Sequence, residues 1–439
     1  MGNGNFTLEG KSASFYTLGC KLNFSETSTI MRQLIEAGAH KAQRGEKADI
    51  CVINTCSVTE TADKKSRQAI HRIVRENPHA YVIVTGCYGQ LQPDTVADIP
   101  GVDIVLGQDL KGSVPENLNG LVKRDHGIYK TTGTNQIKNF VPSCSRGDRT
   151  RYFLKVQDGC DYYCTYCIVP FARGHSRNAT IGSLVDQARQ AGSEGGREIV
   201  ITGVNIGDFG KSTNETFLDL IKELDKVESI ARYRISSIEP NLLTDDIIDF
   251  VAGSRAFMPH FHIPLQSGSN EVLKLMRRRY ARELFADKVR RIKSVIPQAF
   301  IGVDVIVGMR GETDELFRDS YDFLNGLDVT QLHVFSYSER PGTAALKIPH
   351  KVSPQKKRER SRLLMELSDS KTRRFYTDHT GREALVLAER PQHGAAVHGF
   401  TENYIRVEFD SSKVQENSIV KVRLGGLNQA ADALTASII

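Results

Sequence analysis

Three cysteines, Cys160, Cys164 and Cys167, sit four and then three residues apart in the run Gly159-Cys160-Asp161-Tyr162-Tyr163-Cys164-Thr165-Tyr166-Cys167. Cysteines this close cannot all be ordinary core residues. A short loop carrying them can wrap one compact, soft Lewis acid, and thiolates select iron–sulfur clusters or zinc. On a four-iron cubane, three protein ligands leave one iron open to a substrate, which makes a cluster catalytic and not only structural. A zinc knuckle that takes His175 as its fourth ligand is the competing reading. Three further cysteines stand far apart in sequence but in alike surroundings: Leu18-Gly19-Cys20, Asn54-Thr55-Cys56 and Thr85-Gly86-Cys87.

The first trio needs only a loop to gather it, whereas the second needs a fold. Residues 13–18, 49–53 and 81–85 are short runs of apolar, β-branched or aromatic residues, separated by helical stretches at 25–37 and 62–76. Strand–helix–strand units give a parallel sheet, and ligands of such sheets gather beyond the carboxyl ends of the strands. Three strand ends therefore deliver Cys20, Cys56 and Cys87 to one edge of one sheet, a second metal or cluster site assembled across the fold. Gly19 and Gly86 let the backbone turn tightly at the strand exits. Cys51, inside a strand, and Cys144, in a stretch read as linker, are read as small buried hydrophobes.

Residues 111–150, rich in Gly, Asn, Lys and Ser, read as linker and surface loops. Beyond them, residues 153–156, 198–202, 233–237, 260–265, 301–307 and 332–337 are strand candidates. Helical stretches at 181–191, 217–226, 245–252 and 314–327 lie between them. Six β/α repeats suggest a partial barrel with its chemistry at the carboxyl ends of the strands. Polar residues recur at those ends, in Thr202-Gly203-Val204-Asn205, Ser236-Ser237-Ile238-Glu239-Pro240, Pro264-Leu265-Gln266-Ser267-Gly268 and Val307-Gly308-Met309-Arg310-Gly311-Glu312. One such loop is ordinary turn chemistry; their recurrence points to a ligand pocket. After a basic helical segment at 353–375, closely spaced short strands at 383–389, 404–409 and 418–424 have the pattern of a small β-barrel. The expected fold class is α/β: a parallel sheet domain at 11–125, a partial (β/α)6 barrel at 146–376 and an all-β barrel at 377–439.

Composition limits the class of protein. The 439 residues, 40% hydrophobic and 25% charged, are ordinary for globular domains, and no apolar run is long enough to span a membrane. Residues 1–6 carry no apolar signal region. The expected location is cytoplasmic, where eight cysteines argue for metal or redox chemistry over disulfides. The net charge of +6 is matched by residues 351–374 alone, with nine Lys/Arg and three Asp/Glu. A basic run is ordinarily a solvated helix face. Beside a small barrel it also suits nucleic acid, whose phosphates need clustered cations.

The spacing Cys160-x-x-x-Cys164-x-x-Cys167, with Tyr166 before the last cysteine, resembles the radical S-adenosylmethionine signature. Gly19-Cys20-Lys21-Leu22-Asn23, Asn54-Thr55-Cys56 and Gly86-Cys87 resemble the N-terminal domain of the methylthiotransferases, a branch of that superfamily. The C-terminal barrel resembles the TRAM module, an RNA-binding domain. The resemblance spans almost the whole chain in the family's order. It implies that Cys160, Cys164 and Cys167 hold a catalytic [4Fe–4S] cluster whose open iron chelates S-adenosylmethionine, and that electron transfer then yields a 5′-deoxyadenosyl radical. It implies that Cys20, Cys56 and Cys87 hold an auxiliary [4Fe–4S] cluster for sulfur insertion. It puts Tyr166 near the adenine, with Thr202, Asn205, Glu239 and Gln266 lining the cofactor pocket. Arg173 is a candidate for cofactor or phosphate contact. The run Met276-Arg277-Arg278-Arg279-Tyr280 also matches the family, though arginines on a helix are by default solvated.

Lys21 after Cys20 resembles the threonylcarbamoyladenosine tRNA branch; the isopentenyladenosine branch usually has Gln there and the ribosomal-protein aspartate branch Ala. The resemblance thus implies conversion of N6-threonylcarbamoyladenosine, next to the anticodon of tRNA, to its 2-methylthio derivative. A sulfur donor and an electron donor such as flavodoxin or ferredoxin would be partners. A threonylcarbamoyl group bears a carboxylate, so its pocket should offer a cation or several donors. Lys21, Arg173, Arg277, Arg278 and Arg279 are the cations nearest the cluster motifs in sequence. A reading from another class is a non-catalytic, redox-sensing iron–sulfur protein that binds RNA.

Overall fold

Six strands near the start of the chain form one parallel sheet: β1 (Ser12–Thr17), β2 (His40–Lys41), β3 (Ile50–Thr55), β4 (Tyr81–Gly86), β5 (Ile104–Leu106) and β6 (Ile128–Lys130). Their order is β2-β1-β3-β4-β5-β6. In this computed structural model residues 7–43, 45–118, 120–147, 149–390, 396–409 and 414–439 are described. Residues 1–6, on which the expectation about the chain's start rests, lie outside them. β3 and β4 are buried along their whole length, as helices on both faces of a parallel sheet require. The register pairs Thr17 with Asn54 and Asn54 with Thr85, so the three strands that precede the separated cysteines end level with one another.

The helix after β1 spans Lys21–Glu36 and begins four residues earlier than its sequence suggests. Asn23, Ser25 and Thr27 are poor interior helix formers because their side chains compete for backbone groups. Here tertiary bonds hold two of them: Asn23 Nδ2 donates to Thr55 O at 3.0 Å as well as to the nearby Leu18 O at 2.8 Å, and Thr27 Oγ1 accepts from Asn54 Nδ2 at 3.1 Å.

Residues 111–150 are not the surface linker their composition suggests. β6 completes the sheet, Lys111 is 1% exposed, and β7 (Ser143–Cys144) pairs antiparallel with β8 (Arg151–Lys155). β8 leads through β9 (Gln157–Asp158), paired with β10 (Arg177–Asn178), to the close cysteine trio. β11 (Glu198–Thr202) and β12 (Arg232–Ile235) extend one sheet in the order β12-β11-β8-β7. β13 (His260–Gln266), β14 (Phe300–Val307) and β15 (Gln331–Ser336) form the next. Bridges from Tyr233 to Phe257 and from Ser237 to His262 join the two. The expected six parallel strands of an open barrel are thus present, with β7 and the β9–β10 pair in addition.

Along β14, Ile301, Val303, Val305 and Val307 enter the apolar core under the helices, which turns Gly302 and Asp304 toward the barrel lumen. The first helix of the chain packs on this lumen side of β8, with Phe24 edge-on to Phe153 at 5.7 Å. No helix among the described residues is long and apolar enough to cross a membrane.

The basic helix Pro354–Thr377 differs electrostatically from expectation. Arg360 is buried against Glu312 and also pairs with Asp314. Lys357 donates to Tyr337 O and Lys371 to Leu327 O, and Lys351, Lys356 and Arg362 have acidic partners. Part of the charge that suggested RNA, at Lys356, Lys357, Arg360 and Lys371, therefore braces the helix against the barrel.

The chain ends in a closed barrel of five strands, ordered β16-β17-β18-β20-β19. These are β16 (Glu383–Ala388), β17 (Val397–Thr401), β18 (Arg406–Phe409), β19 (Ile419–Leu427) and β20 (Leu434–Ile438). β17 and β20 have no counterpart among the three strands expected. The barrel seats on the amino ends of the core strands. Arg232 donates to Phe400 O and Leu385 O, and Arg234 to Thr401 O and Glu402 O, all at 2.7–3.0 Å.

Candidate metal centre

The loop carrying Cys160, Cys164 and Cys167 is fixed from several sides. Gly159 has φ +71°, and a Cβ there would lie 2.0 Å from His175 O, so no larger residue fits this crossing. Cys160 N donates to Gly174 O at 3.0 Å, Thr165 N to Met276 O at 3.1 Å, and Ala345 N to Thr165 O at 2.8 Å. Cys164 is buried, and Cys160 and Cys167 are half-buried. Burial foremost, with the charge of Cys164 adding to it, pushes the thiols of Cys160 and Cys167 up to about 12. Three thiolates this close are unfavourable unless a cationic group joins them. His175, the fourth ligand of a zinc knuckle, is turned to Asp161, with Nδ1 2.8 Å from the carboxylate. Thiols that only bound positive charge would settle make a donor set that fits a metal cluster.

Around this loop stand residues singled out from the strand ends. Arg278 Nη1 lies 3.2 Å from Cys164 Sγ and 3.5 Å from Tyr166 OH, while its other terminal nitrogen pairs with Glu239. Burial raises the Glu239 carboxyl, and Arg278 opposes that rise. Arg279 donates to Asp161 O at 2.8 Å and lies 4.0 Å over the Tyr162 ring. Arg277, with φ +55°, points outward and is exposed. The arginine run is therefore not one solvated face: a left-handed residue turns the backbone and sends two of three guanidiniums to the cysteine loop.

Thr202 and Asn205 are buried at the end of β11. Gln157 Oε1 accepts from Val204 N and Asn205 N and so fixes that loop. Gln266, at φ +71° beside a register shift, ends β13. Asn205 Oδ1, Ser236 Oγ and Asn241 Oδ1 are buried without a hydrogen-bond partner. Orphaned polar atoms at successive strand ends fit a polar ligand.

The second trio is gathered by the sheet. Cys20 caps the helix Lys21–Glu36, Cys56 follows β3 and Cys87 opens the helix Cys87–Leu91. A Cβ on Gly19, at φ +99°, would sit 2.9 Å from Cys56 Sγ, and one on Gly86, at φ +97°, 2.3 Å from Thr55 O. Both turns need glycine. Burial pushes Cys56 up to about 11, with Cys87 and Cys20 adding to it. Cys87 is raised by burial, while Arg173 and Lys111 oppose the rise.

Beside this trio lies a buried ionic cluster that sequence reasoning missed. Glu26, 1% exposed, meets Lys111, Lys155 and Arg173. Asp158 meets Lys155 at 2.7 Å, Arg173 at 2.9 Å and Arg177 at 3.1 Å. Burial alone would raise both carboxyls, but the cations hold them well below the usual carboxylate range. Four cations face two carboxylates, a buried positive excess next to Cys20, Cys56 and Cys87 that an anionic group would balance. That is the observation by which these donors fit a thiolate-bound cluster. Arg173, expected at the cofactor or a phosphate, is instead 2% exposed and fully engaged here, with Asn23 Oδ1 a further partner at 2.6 Å. The only sequence signal for this cluster was an acidic residue on a helix close behind Cys20.

Lys21 is solvent-accessible, and its ammonium feels the charges of Tyr404, Arg151 and Asp304. Desolvation lowers its affinity for a proton, while Tyr404 and Asp304 partly restore it. The first helix, the barrel lumen and the C-terminal barrel meet around it.

The family model described as uncharacterized protein family UPF0004 matches residues 12–107, and the radical SAM superfamily model matches residues 154–324. The chain is 38% identical over 423 residues to the threonylcarbamoyladenosine tRNA methylthiotransferase MtaB of Bacillus subtilis, covering 94% of this chain and 93% of that one. It is 35% identical to the protein of the same name from Aquifex aeolicus, over 91% and 97% of the two chains. The radical S-adenosylmethionine methyltransferase TsrM from Kitasatospora setae shares the fold at TM-score 0.54 and 14% identity, over 76% of this chain and 77% of that one.

Proposed function

The chain belongs to the radical S-adenosylmethionine methylthiotransferases, enzymes that use a [4Fe–4S] cluster and S-adenosylmethionine, and from that premise we propose that it methylthiolates N6-threonylcarbamoyladenosine beside the anticodon of tRNA. The observation that carries the proposal is the near-full-length likeness to relatives named for that substrate. It is supported by two cysteine trios on neighbouring units, with the first helix linking them. Cys160, Cys164 and Cys167 would hold the catalytic cluster, and Cys20, Cys56 and Cys87 an auxiliary [4Fe–4S] cluster. Bound there, cluster and cofactor supply the radical chemistry that activates a C–H bond.

The chain's own residues do the rest. Arg278 donates toward Cys164 Sγ, and its pairing with Glu239 fixes it beside Tyr166. The orphaned oxygens of Asn205, Ser236 and Asn241 offer acceptors to the ammonium and hydroxyl groups of a cofactor, with Thr202 and Gln266 at adjacent strand ends. The Glu26–Arg173 cluster closes the seam between sheet and barrel, which keeps water from the reacting atoms. Lys21 would pair with the carboxylate of the threonylcarbamoyl group; a desolvated ammonium gains most from an anion brought into the same site. The C-terminal barrel would act as a TRAM-like contact for the RNA, in a cytoplasmic enzyme.

The test offers the reconstituted enzyme matched tRNAs, one carrying threonylcarbamoyladenosine and one isopentenyladenosine, with products identified by mass. A methylthio product from the first is expected. Product from the isopentenyl tRNA alone, or from a ribosomal protein, refutes the substrate assignment and leaves the radical chemistry standing.

A further inference from the structure

Three lumen-facing side chains of the partial barrel stand apart from both cysteine trios. His262 on β13, Asp304 on β14 and His333 on β15 each offer one ligand atom, and these atoms all lie within 4.8 Å of one another. Among the described residues no other three His, Cys, Asp or Glu side chains are gathered in this way. Strand register explains the gathering. Asp304 is directly opposite His333, and His262 opposite Gly302, so three adjacent parallel strands present these residues on one face. His262 Nε2 lies 2.7 Å from Asp304 Oδ1, and the two imidazole rings are 4.9 Å apart, inclined at 66°. Gly302 leaves them room: a Cβ there would come to 3.2 Å from His333 Nε2 and 3.8 Å from His262 Cδ2. All three donors are partly accessible. His333 lines a cleft of about 530 Å³ between the partial barrel and the C-terminal barrel, which gives an ion a way in.

We propose that His262, Asp304 and His333 form a mononuclear site for a divalent first-row transition ion. Two imidazoles and one carboxylate suit zinc or ferrous iron, and three protein donors leave coordination positions open to an oxygen ligand. Metal–ligand bonds of about 2.0–2.1 Å put tetrahedral donors about 3.4 Å apart, a spacing close to that of three donors already within 4.8 Å of one another. An ion there competes with the Lys21 ammonium, which is drawn to Asp304, and its binding does not depend on which RNA the enzyme modifies.

The test uses the full-length enzyme with its iron–sulfur clusters reconstituted, so that the cysteines are occupied, dialysed against zinc sulfate without RNA. One zinc per chain is expected, with X-ray absorption showing only nitrogen and oxygen neighbours at about 2.0–2.1 Å. His333→Ala and Gly302→Val should each lose that zinc; the first removes a donor and the second fills the space between the rings. Iron content reports whether each variant has folded. No zinc uptake by the wild type, a sulfur shell at about 2.3 Å, or uptake by both variants equal to that of the wild type overturns the site.

Discussion

Cys160, Cys164 and Cys167 fall within eight consecutive residues, whereas Cys20, Cys56 and Cys87 span 68. The close trio is set by one loop, and the barrel serves mainly to clamp that loop through Gly159, Thr165 and Arg278. The distant trio exists only because β1, β3 and β4 end level and because Gly19 and Gly86 turn where a Cβ would collide. Their charge settings differ as well. At the close trio Arg278, beside Cys164, is matched by Glu239, while Arg279 bonds the Asp161 carbonyl on the exposed side of the loop. Near the distant one, four cations face two carboxylates. A cluster bound at the second site is thus tied electrostatically to the contact between sheet and barrel, and one bound at the first is not.

Removing each trio gives the strongest separation. Cys160→Ala, Cys164→Ala and Cys167→Ala together should abolish S-adenosylmethionine cleavage and leave about half of the iron. Iron analysis and a 5′-deoxyadenosine assay after anaerobic reconstitution check this, and full iron retention would show that these thiols are not ligands. The companion variant, Cys20→Ala, Cys56→Ala and Cys87→Ala, should still form 5′-deoxyadenosine but give no methylthiolated tRNA. Normal product from it removes the auxiliary site from the mechanism.

A smaller effect tests the charge contrast. Glu26→Gln leaves Lys111, Lys155 and Arg173 without their shared carboxylate, which should cost about 3–5 kcal/mol of stability. The pH dependence has a definite sign. The folded carboxyls of Glu26 and Asp158 are depressed by their cations although burial alone would raise them. Their stabilisation is therefore complete above the unfolded carboxylate range and is lost as pH falls through the depressed folded values. Thermal melts should show a steeper acid loss in the wild type than in Glu26→Gln; parallel curves would mean that this cluster does not govern acid stability.

The mildest changes are Cys51→Ala and Cys144→Ala. Both side chains are buried in strands, and neither belongs to a cysteine trio. Each should cost about 1 kcal/mol of packing and leave product formation near wild type; a loss of iron in either would add a ligand that the two trios do not include.

Local pattern was enough for the close cysteine motif, for three strands each running into a cysteine and for six β/α repeats, because spacing and short-range periodicity are properties of neighbours in the chain. The same holds for the polar residues at the strand ends. It was not enough for Lys111, Arg173 or the basic helix. Lys111 lies in a Gly- and Ser-rich stretch yet is buried against Glu26, 85 residues away in sequence, and no local pattern announces a partner at that distance. Arg173 looked like a ligand contact because it follows the cysteine loop, but two carboxylates from different units claim it. In the basic helix, charge counted along the sequence could not reveal that Arg360 would be buried against Glu312 and Asp314 or that Lys357 and Lys371 would bond backbone carbonyls of the barrel. Nor could it bring His262, Asp304 and His333 together, since that depends on the register of three strands separated by helices. The sequence by itself determined the donor types, the order of the units and the left-handed turns that only glycine allows. Tertiary structure decided which charges meet, because an ion pair is a contact in space whose partners the chain brings together only on folding.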